Sequence, residues 1–405
     1  MIPKRMRIPF VLIGALLCAM MLSADSSLTL TPSQSPIPST YFSMNILFHP
    51  NNNVPWPAVP FYGWRAWHAL WYDLEPQKGQ WQFDHLDKLV AQAQQHNSQL
   101  MLILAYSPQW ASTQFDPKSD WQAGTAGPLR DMDDWRNYVR TVATRYKGKI
   151  HVYEIWNEPD RSHAWLGDME TMLTMVREAS KILKEVDPNV TVVSPSPETD
   201  KAPAWLNEFL SKGGGQYVDV IGYHFYVQER SPEAMVPIIQ NVRAIMEKNG
   251  VGNKPLWDTE AGWLSPNFFP DDQQAAYLAR AFVLNWAAGV DRYYWYAWDS
   301  HKGSQIEMVR AGNASLTPAA KAFGTIQDWM TGAVMKRCVT SENHNWVCEF
   351  TQNGGWKFIV WNTDGDRSFK LAPNWNAKQI TKLDGTFTQI NSDSVPIGIQ
   401  PVLIQ

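Results

Sequence analysis

The sequence predicts an α/β protein: a (β/α)8 TIM barrel followed by a small C-terminal antiparallel β domain. Three observations predict it. Between residues 41 and 333, eight short β-branched or aromatic runs alternate with longer helical patterns, and alternation of that kind builds a parallel sheet. Eight units in about 290 residues also match the ~250 residues of a closed eightfold barrel. From residue 334 the helical period ends, and short strand-like runs broken by glycine turns replace it. At 44% hydrophobic and 18% charged, the 405-residue chain can fill a sizeable core, which excludes a disordered or collagen-like polymer.

The elements follow in order. Lys4, Arg5 and Arg7 precede the apolar run Ile8–Leu22, and Ser23-Ala24 comes next. Residues 1–24 are therefore expected to be a secretory signal, with an uncleaved anchor as the alternative. The run is short for a spanning helix of ~20 residues. Residues 25–40 are rich in Ser, Thr and Pro and read as a flexible linker. Strands are expected near Tyr41–Ile46, Gly63–Trp67, Gln99–Ala105, Ile150–Trp156, Val190–Ser194, Val218–His224, Pro255–Thr259 and Arg292–Ala297. Helical periods cover Phe83–Gln95, Met132–Tyr146, Met172–Val186, Pro232–Lys248 and Asp272–Ala288. In residues 334–405 the strand-like runs are Val347–Phe350, Trp356–Trp361, Gln379–Lys382, Thr386–Ile390 and Val402–Ile404. Turns at Asn353-Gly354-Gly355, Thr363-Asp364-Gly365 and Asp384-Gly385 punctuate them.

Three cysteines are present. Cys18 leaves with the signal. Cys338 and Cys348 flank the turn-like residues 341–345, so a disulfide across a hairpin is expected, as suits an exported periplasmic or extracellular protein. Without Lys4, Arg5 and Arg7 the 35 basic residues become 32 against 39 acidic ones, a net charge of −7. That balance disfavours nucleic acid and anionic membranes as partners. No nucleotide fingerprint or metal-ligand spacing is present: Gly213-Gly214-Gly215 lacks the GK[ST] context of a phosphate loop. No cofactor and no metal are expected. Tryptophan is abundant, at 21 residues, and flat apolar rings with one polar edge suit a site that grips sugar.

Catalytic groups of such barrels stand at the C-terminal ends of strands. The fourth strand ends Ile155-Trp156-Asn157-Glu158-Pro159, and the seventh ends Trp257-Asp258-Thr259-Glu260-Ala261-Gly262-Trp263. The two glutamates are 102 residues apart, about three βα units, which sets them nearly opposite across the mouth. Glycosidic hydrolysis needs two facing carboxyls: one to protonate the leaving oxygen, the other ionised to attack carbon or activate water. Asn157 is placed to hydrogen-bond a sugar hydroxyl, and strand parity puts Glu154 and Asp258 in supporting roles. His224 and Tyr226 share parity and should face the mouth. Trp110, Trp263 and Trp298 lie at strand ends as candidate stacking platforms. Trp110, Trp121 and Trp165 on long loops are candidate walls of a cleft or pocket. Trp64 is expected to pack beneath a helix, and Met172, Met175 and Val176 to be core.

Asn157-Glu158-Pro159 on strand four with Thr259-Glu260 on strand seven resembles clan A of the retaining glycoside hydrolases. More narrowly, Trp71-Tyr72-Asp73-Leu74-Glu75-Pro76-Gln77-Lys78-Gly79 followed by Phe83-Asp84-His85-Leu86-Asp87 resembles glycoside hydrolase family 39. Members of that family include β-xylosidase, α-L-iduronidase and bacterial exopolysaccharide glycosidases. Ser107-Pro108-Gln109-Trp110-Ala111 and Gly222-Tyr223-His224-Phe225-Tyr226 fit the same pattern, and the likeness spans roughly residues 41–330. The resemblance implies Glu158 as acid/base and Glu260 as nucleophile. It also implies that Arg65, Asn157, His224, Tyr226 and Trp298 orient sugar or carboxylates, and that the partner is a carbohydrate substrate. The alternatives are a non-catalytic carbohydrate-binding barrel and a transglycosylase using the same glutamate pair.

Overall fold

The computed structural model describes residues 28–47, 55–114, 122–198, 201–264, 269–299, 306–310 and 315–405. The expected signal segment, Cys18 and Trp121 lie outside them. After a short first strand, β1 (Thr29–Leu30), come the eight barrel strands. They are β2 (Phe42–Ile46), β3 (Gly63–Ala66), β4 (Gln99–Leu104), β5 (Val152–Ile155), β6 (Thr191–Val193), β7 (Ile221–Tyr223), β8 (Leu256–Ala261) and β9 (Arg292–Trp295). The sheet order is β6-β5-β4-β3-β2-β9-β8-β7, its neighbouring strands pair in parallel, and a parallel bridge from Val193 to Val220 closes the ring. All eight strands fall where the sequence puts them, because each is a short apolar run buried on both faces.

The helices are α1 (Trp71–Leu74), α2 (Asp84–Gln95), α3 (Met132–Arg145), α4 (Met169–Val186), α5 (Ala202–Ser211), α6 (Met235–Lys248), α7 (Asp271–Ala288) and α8 (Pro318–Met330). In α2, Leu86, Leu89, Val90 and Ala93 are buried, the i, i+3, i+4, i+7 stripe that packs one helix face on a barrel. Asp168 accepts from the Thr171 N–H at 2.8 Å to open α4, and Thr317 does the same for α8 just before Pro318. Met172, Met175 and Val176 are buried on α4, and Trp64 is buried outside the sheet, as expected. Helices α1, α5 and α8 are additions to the elements read from sequence.

The C-terminal domain is a β sandwich. Its strands are β10 (Val334–Thr340), β11 (Asn345–Gln352), β12 (Gly355–Asn362), β13 (Arg367–Lys370), β14 (Gln379–Thr381), β15 (Phe387–Gln389), β16 (Ser394–Ile397) and β17 (Val402–Ile404). A seven-stranded antiparallel sheet, β1-β10-β11-β12-β17-β14-β15, faces the ribbon β13-β16. Phe358, Val360, Ile380 and Ile404 on one face pack with Val395 and Ile397. The other face, with Cys348, Phe350, Ile359 and Trp361, merges with the barrel's core. Cys338 and Cys348 stand opposite each other on β10 and β11 and form the expected disulfide. The stretch expected as a flexible linker departs from that reading. Within it β1 pairs with β10, Ile37 exchanges backbone hydrogen bonds with Gly332 and Ala333, and Leu30 and Ile37 are buried. Two apolar side chains among the Ser and Pro are what anchor it.

Along the barrel axis Met101, Val152, Val193, Val220, Trp257 and Tyr294 form an apolar plug. A charged layer built on Arg65 and Glu154 shares that interior. Among the described residues no helix is long and apolar enough to cross a membrane.

Candidate active site

Arg65 on β3 is fully buried, and four acceptors surround its guanidinium. Nε donates to Glu154 at 2.7 Å, Nη2 donates to Asn157 Oδ1 at 2.7 Å, and Nη1 donates to Glu260 at 2.5 Å and Asn45 Oδ1 at 3.3 Å. Glu154 spends its other oxygen on Ser196 Oγ at 2.6 Å and Thr259 Oγ1 at 2.7 Å. A buried ion pair is tolerable when its remaining donors and acceptors are satisfied in this way. Burial alone would weaken the Arg65 charge, but Glu154 and Glu260 outweigh it and hold the guanidinium protonated. The supporting role that strand parity gives Glu154 is, in this geometry, that of a buried partner for Arg65.

Glu158 and Glu260 meet above this layer, each only 6% exposed. The ligand-type atoms of Glu158, His224 and Glu260 lie within 4.8 Å of one another. Two backbone irregularities bring them together. In the fourth strand's extension Trp156 and Glu158 are left-handed, with φ of 67° and 48°, a conformation that is costly for a residue with a side chain. Strict alternation therefore ends there. Trp156 turns outward to meet Trp165 edge-on and Trp135 at a tilt, while Asn157 and Glu158 both reach the cleft. On β8 the register with β9 shifts between Asp258 and Ala261. Thr259 and Glu260 consequently both contact the interior network, and Asp258 instead accepts from the Phe225 N–H. Such bulges re-aim side chains.

Each glutamate is held by a cation and a neutral group. Glu260 accepts from the Tyr226 hydroxyl at 2.9 Å beside its Arg65 pair. Burial pushes Glu260 above the ordinary carboxylate range, against the pull of Arg65 and Tyr226. Glu158 lies 3.1 Å from His224 Nδ1 and 2.9 Å from Arg161 Nη1. Burial pushes His224 below the ordinary imidazole range, so the ring is neutral near pH 7. A neutral ring can donate to a Glu158 carboxylate or accept from a Glu158 carboxylic acid, according to tautomer. The spacing of the trio would also suit a small cation, but two guanidiniums already supply positive charge to the two carboxylates.

The cleft above has a volume of about 220 Å³, smaller than the ~300–1,000 Å³ of drug-sized sites. Asn157, Glu158, Tyr226 and Glu260 line it, as the sequence indicated. Trp67, Tyr106, Arg161, Glu198, Leu264 and Tyr296 complete it, and sequence reading did not single these out. Signals for two of them were present. Arg161 is one turn beyond Glu158, and Glu198 ends the Ser-Pro-Ser-Pro-Glu run after strand five. His224 touches Glu158 from below. Four predicted tryptophans are not brought to the cleft's lining. Trp165 is buried and meets Trp156 edge-on. Trp110 donates to the Glu75 carbonyl and meets Trp71 edge-on. Trp263 donates to the Arg230 carbonyl against Tyr277 and Trp295. Trp298 is buried and donates to the Pro55 carbonyl. The platform in the cleft is Trp67, whose indole N–H is tied to Asn45 and whose ring lies 4.8 Å from the Arg65 guanidinium.

The family model of glycosyl hydrolases family 39 matches residues 65–296, more than half of the chain. The chain belongs to glycosyl hydrolases family 39. A solved family 39 glycoside hydrolase from the gut symbiont Bacteroides cellulosilyticus superposes on this family 39 chain with a TM-score of 0.74 at 19% identity. That match covers 91% of this chain and 82% of the other. A monomeric β-xylosidase from Caulobacter crescentus gives 0.65 at 14% identity, covering 92% and 97%. Among curated proteins, endo-1,4-β-xylanase C of Paenibacillus barcinonensis is 24% identical over 185 residues, 40% of this chain. The match spans only 17% of that xylanase's length.

Proposed function

We propose that this family 39 chain hydrolyses O-glycosidic bonds of an oligosaccharide or polysaccharide with retention of configuration, through a covalent glycosyl-enzyme. Glu260 is the nucleophile: Arg65 holds its charge and Tyr226 fixes its aim. Glu158 is the acid/base. Glu260 attacks the anomeric carbon while Glu158 gives its proton to the leaving oxygen. Glu158, now a carboxylate, then takes a proton from water, which attacks the same carbon and releases the sugar and Glu260. The observation that carries this reading is the close approach of the two carboxylates, with oxygens within 4.8 Å. Double displacement operates near 5–5.5 Å between carboxyls, whereas inversion needs ~6.5–9.5 Å to seat a water. The 220 Å³ cleft holds about one sugar ring at the reacting position, with Trp67 as its apolar wall and Asn157 as a hydrogen-bonding partner. The xylanase and β-xylosidase among its relatives make an aryl β-xyloside the first substrate to try. Export is supported by the basic and apolar run at residues 4–22 and by the disulfide.

The test is a panel of chromogenic aryl glycosides, with a 2-fluorosugar trap and NMR of the first-formed anomer. Expected are turnover, a fluoroglycosyl adduct on Glu260 and a product of unchanged configuration. Inverted product would end the double-displacement account. Binding without turnover would indicate a carbohydrate-binding barrel, and product enlarged by added acceptor a transglycosylase.

A further inference from the structure

A third carboxyl, Glu198, lies in the cleft on the loop after β6, and the proposed reaction gives it no part. One nitrogen, Arg161 Nη1, stands between it and the acid/base: 2.9 Å from Glu158 and 3.8 Å from Glu198. Both carboxylates are well covered, at 8% and 13% side-chain exposure, while Arg161 is 38% exposed. The Glu198 backbone is itself anchored, its N–H donating to Asp160 Oδ1 at 3.0 Å. Glu198 is thus fixed at one side of a partly exposed cation whose other side is the acid/base.

Glycoside hydrolysis makes conflicting demands on Glu158. It must carry a proton before the first step and a negative charge before the second. A permanent 2.9 Å guanidinium partner would favour the charged form throughout and oppose the first step. We propose that Arg161 is a counter-ion shared between Glu158 and Glu198: it rests on Glu198 while Glu158 holds its proton and moves to Glu158 once that proton has passed to the leaving oxygen. No bond other than the transferred O–H is made or broken by the swing. The number of protons on the three residues falls by the one delivered to the leaving group and is restored from the attacking water. Arg161 and Glu198 are positioning residues acting through Glu158, and the inference rests on the hydrolase reading for its cycle.

The surroundings fit a partner that can hold or release the cation. Burial first, and then the Glu158 charge, push Glu198 up to about 7, while His224 and Arg161 pull it down and Asp160 adds to the rise. Tyr223 also faces Glu198. Glu158 is faced by Arg161 from its own loop, Glu198 after β6, His224 and Tyr226 from beyond β7, Glu260 on β8, Tyr296 after β9 and Arg65 on β3. Arg161 Nη1 reaches both carboxyls, while Arg65 is committed to Glu154 and Glu260.

The experiment is a pH titration of the full chain carrying 13C-labelled glutamate carboxyls, with the Glu158 signal identified by its loss in Glu158→Gln. In Glu198→Gln, Arg161 stays on Glu158 and the Glu158 midpoint falls by about one pH unit. In Arg161→Gln it rises by a similar amount. In the double variant the effect of Glu198→Gln shrinks to less than half, because the shared cation that transmits it is gone. The basic limb of kcat/KM moves in the same directions for glycosides with poor leaving groups. It does not move for dinitrophenyl glycosides, whose departure needs no proton. An unchanged Glu158 midpoint, shifts of the same sign in both single variants, or a Glu198 effect undiminished without Arg161 would each overturn the proposal. Opposite shifts in a chain that turns over no glycoside would leave the shared counter-ion standing and remove the hydrolase reading instead.

Discussion

Glu158 and Glu260 are unlike in their partners, and that difference supports the division of work proposed for them. Glu260 sits against a buried, fully committed arginine and a tyrosine hydroxyl, which suits a group that must stay ionised. Glu158 sits against a neutral imidazole and a partly exposed arginine, which suits a group that changes state. Glu158→Ala should lower kcat for poor leaving groups by ~10²–10⁴-fold, with activity partly restored by azide. Glu260→Ala should abolish turnover and adduct formation without lowering Tm by more than a few degrees. Near-parent kcat in either variant removes that residue from its role. Asp73 gives a separate test at this scale. Burial pushes its carboxyl up to about 6, against the Leu70 N–H that it accepts. The folded chain thus holds this proton more tightly than the unfolded one, whose value is ~3.9. Stability contributed by the protonated form is present below ~3.9 and lost as pH rises to about 6. Asp73→Asn should therefore raise Tm at pH 7.5 and leave it unchanged at pH 3.5. Equal changes at both pH values would contradict the assignment.

At the scale of elements, the active strands work by departing from regular β structure. Period-two parity would put Glu154, Trp156 and Glu158 on one face, and Asp258 with Glu260 on another. The left-handed residues after β5 and the register shift in β8 break both series. The outcome is that adjacent residues, Asn157 with Glu158 and Thr259 with Glu260, all serve one network. Gly262 shows how tightly β8 and β9 then close. A Cβ added there would lie 2.0 Å from the Tyr296 carbonyl oxygen, and Tyr296 lines the cleft. Gly262→Ala must push the two strand ends apart. It should cost ~1–3 kcal/mol of stability and at least a tenfold loss of kcat/KM, read by thermal melts and aryl-glycoside kinetics. Unaltered kinetics would show that this rim does not set the cleft.

Over the whole molecule, the barrel and the inner face of the β domain share one apolar core. Helix α7 is buried nearly all round, from Ala275 to Ala287, as an apolar run interrupted only by Arg280 and Asn285 requires. It packs against α6 and α8, with β10 of the β domain also touching it. Arg280 pairs with Glu233, which also accepts from the Trp361 indole. Truncation after residue 333 would expose Trp361, Phe350 and the outer side of α7, a patch too apolar for a soluble surface. The truncated chain should aggregate, measured by light scattering of the expressed protein. A monodisperse, folded barrel would refute that dependence. The eight strands, the β tail and the paired glutamates were legible because local apolar runs, turn residues and strand-end motifs encode them over a few neighbouring positions. Trp110, Trp263 and Trp298 lie away from the cleft's lining, because a ring beside a strand end serves packing as readily as binding, and the surrounding shell decides which. Sequence alone determined the barrel rhythm, the domain order and the two carboxyls. The tertiary structure decided which side chains share the cleft, because Arg161, Glu198, Trp67 and Tyr296 come from four separate strand ends whose convergence depends on ring closure and local backbone distortion, and neither is written in the spacing of residues along the chain.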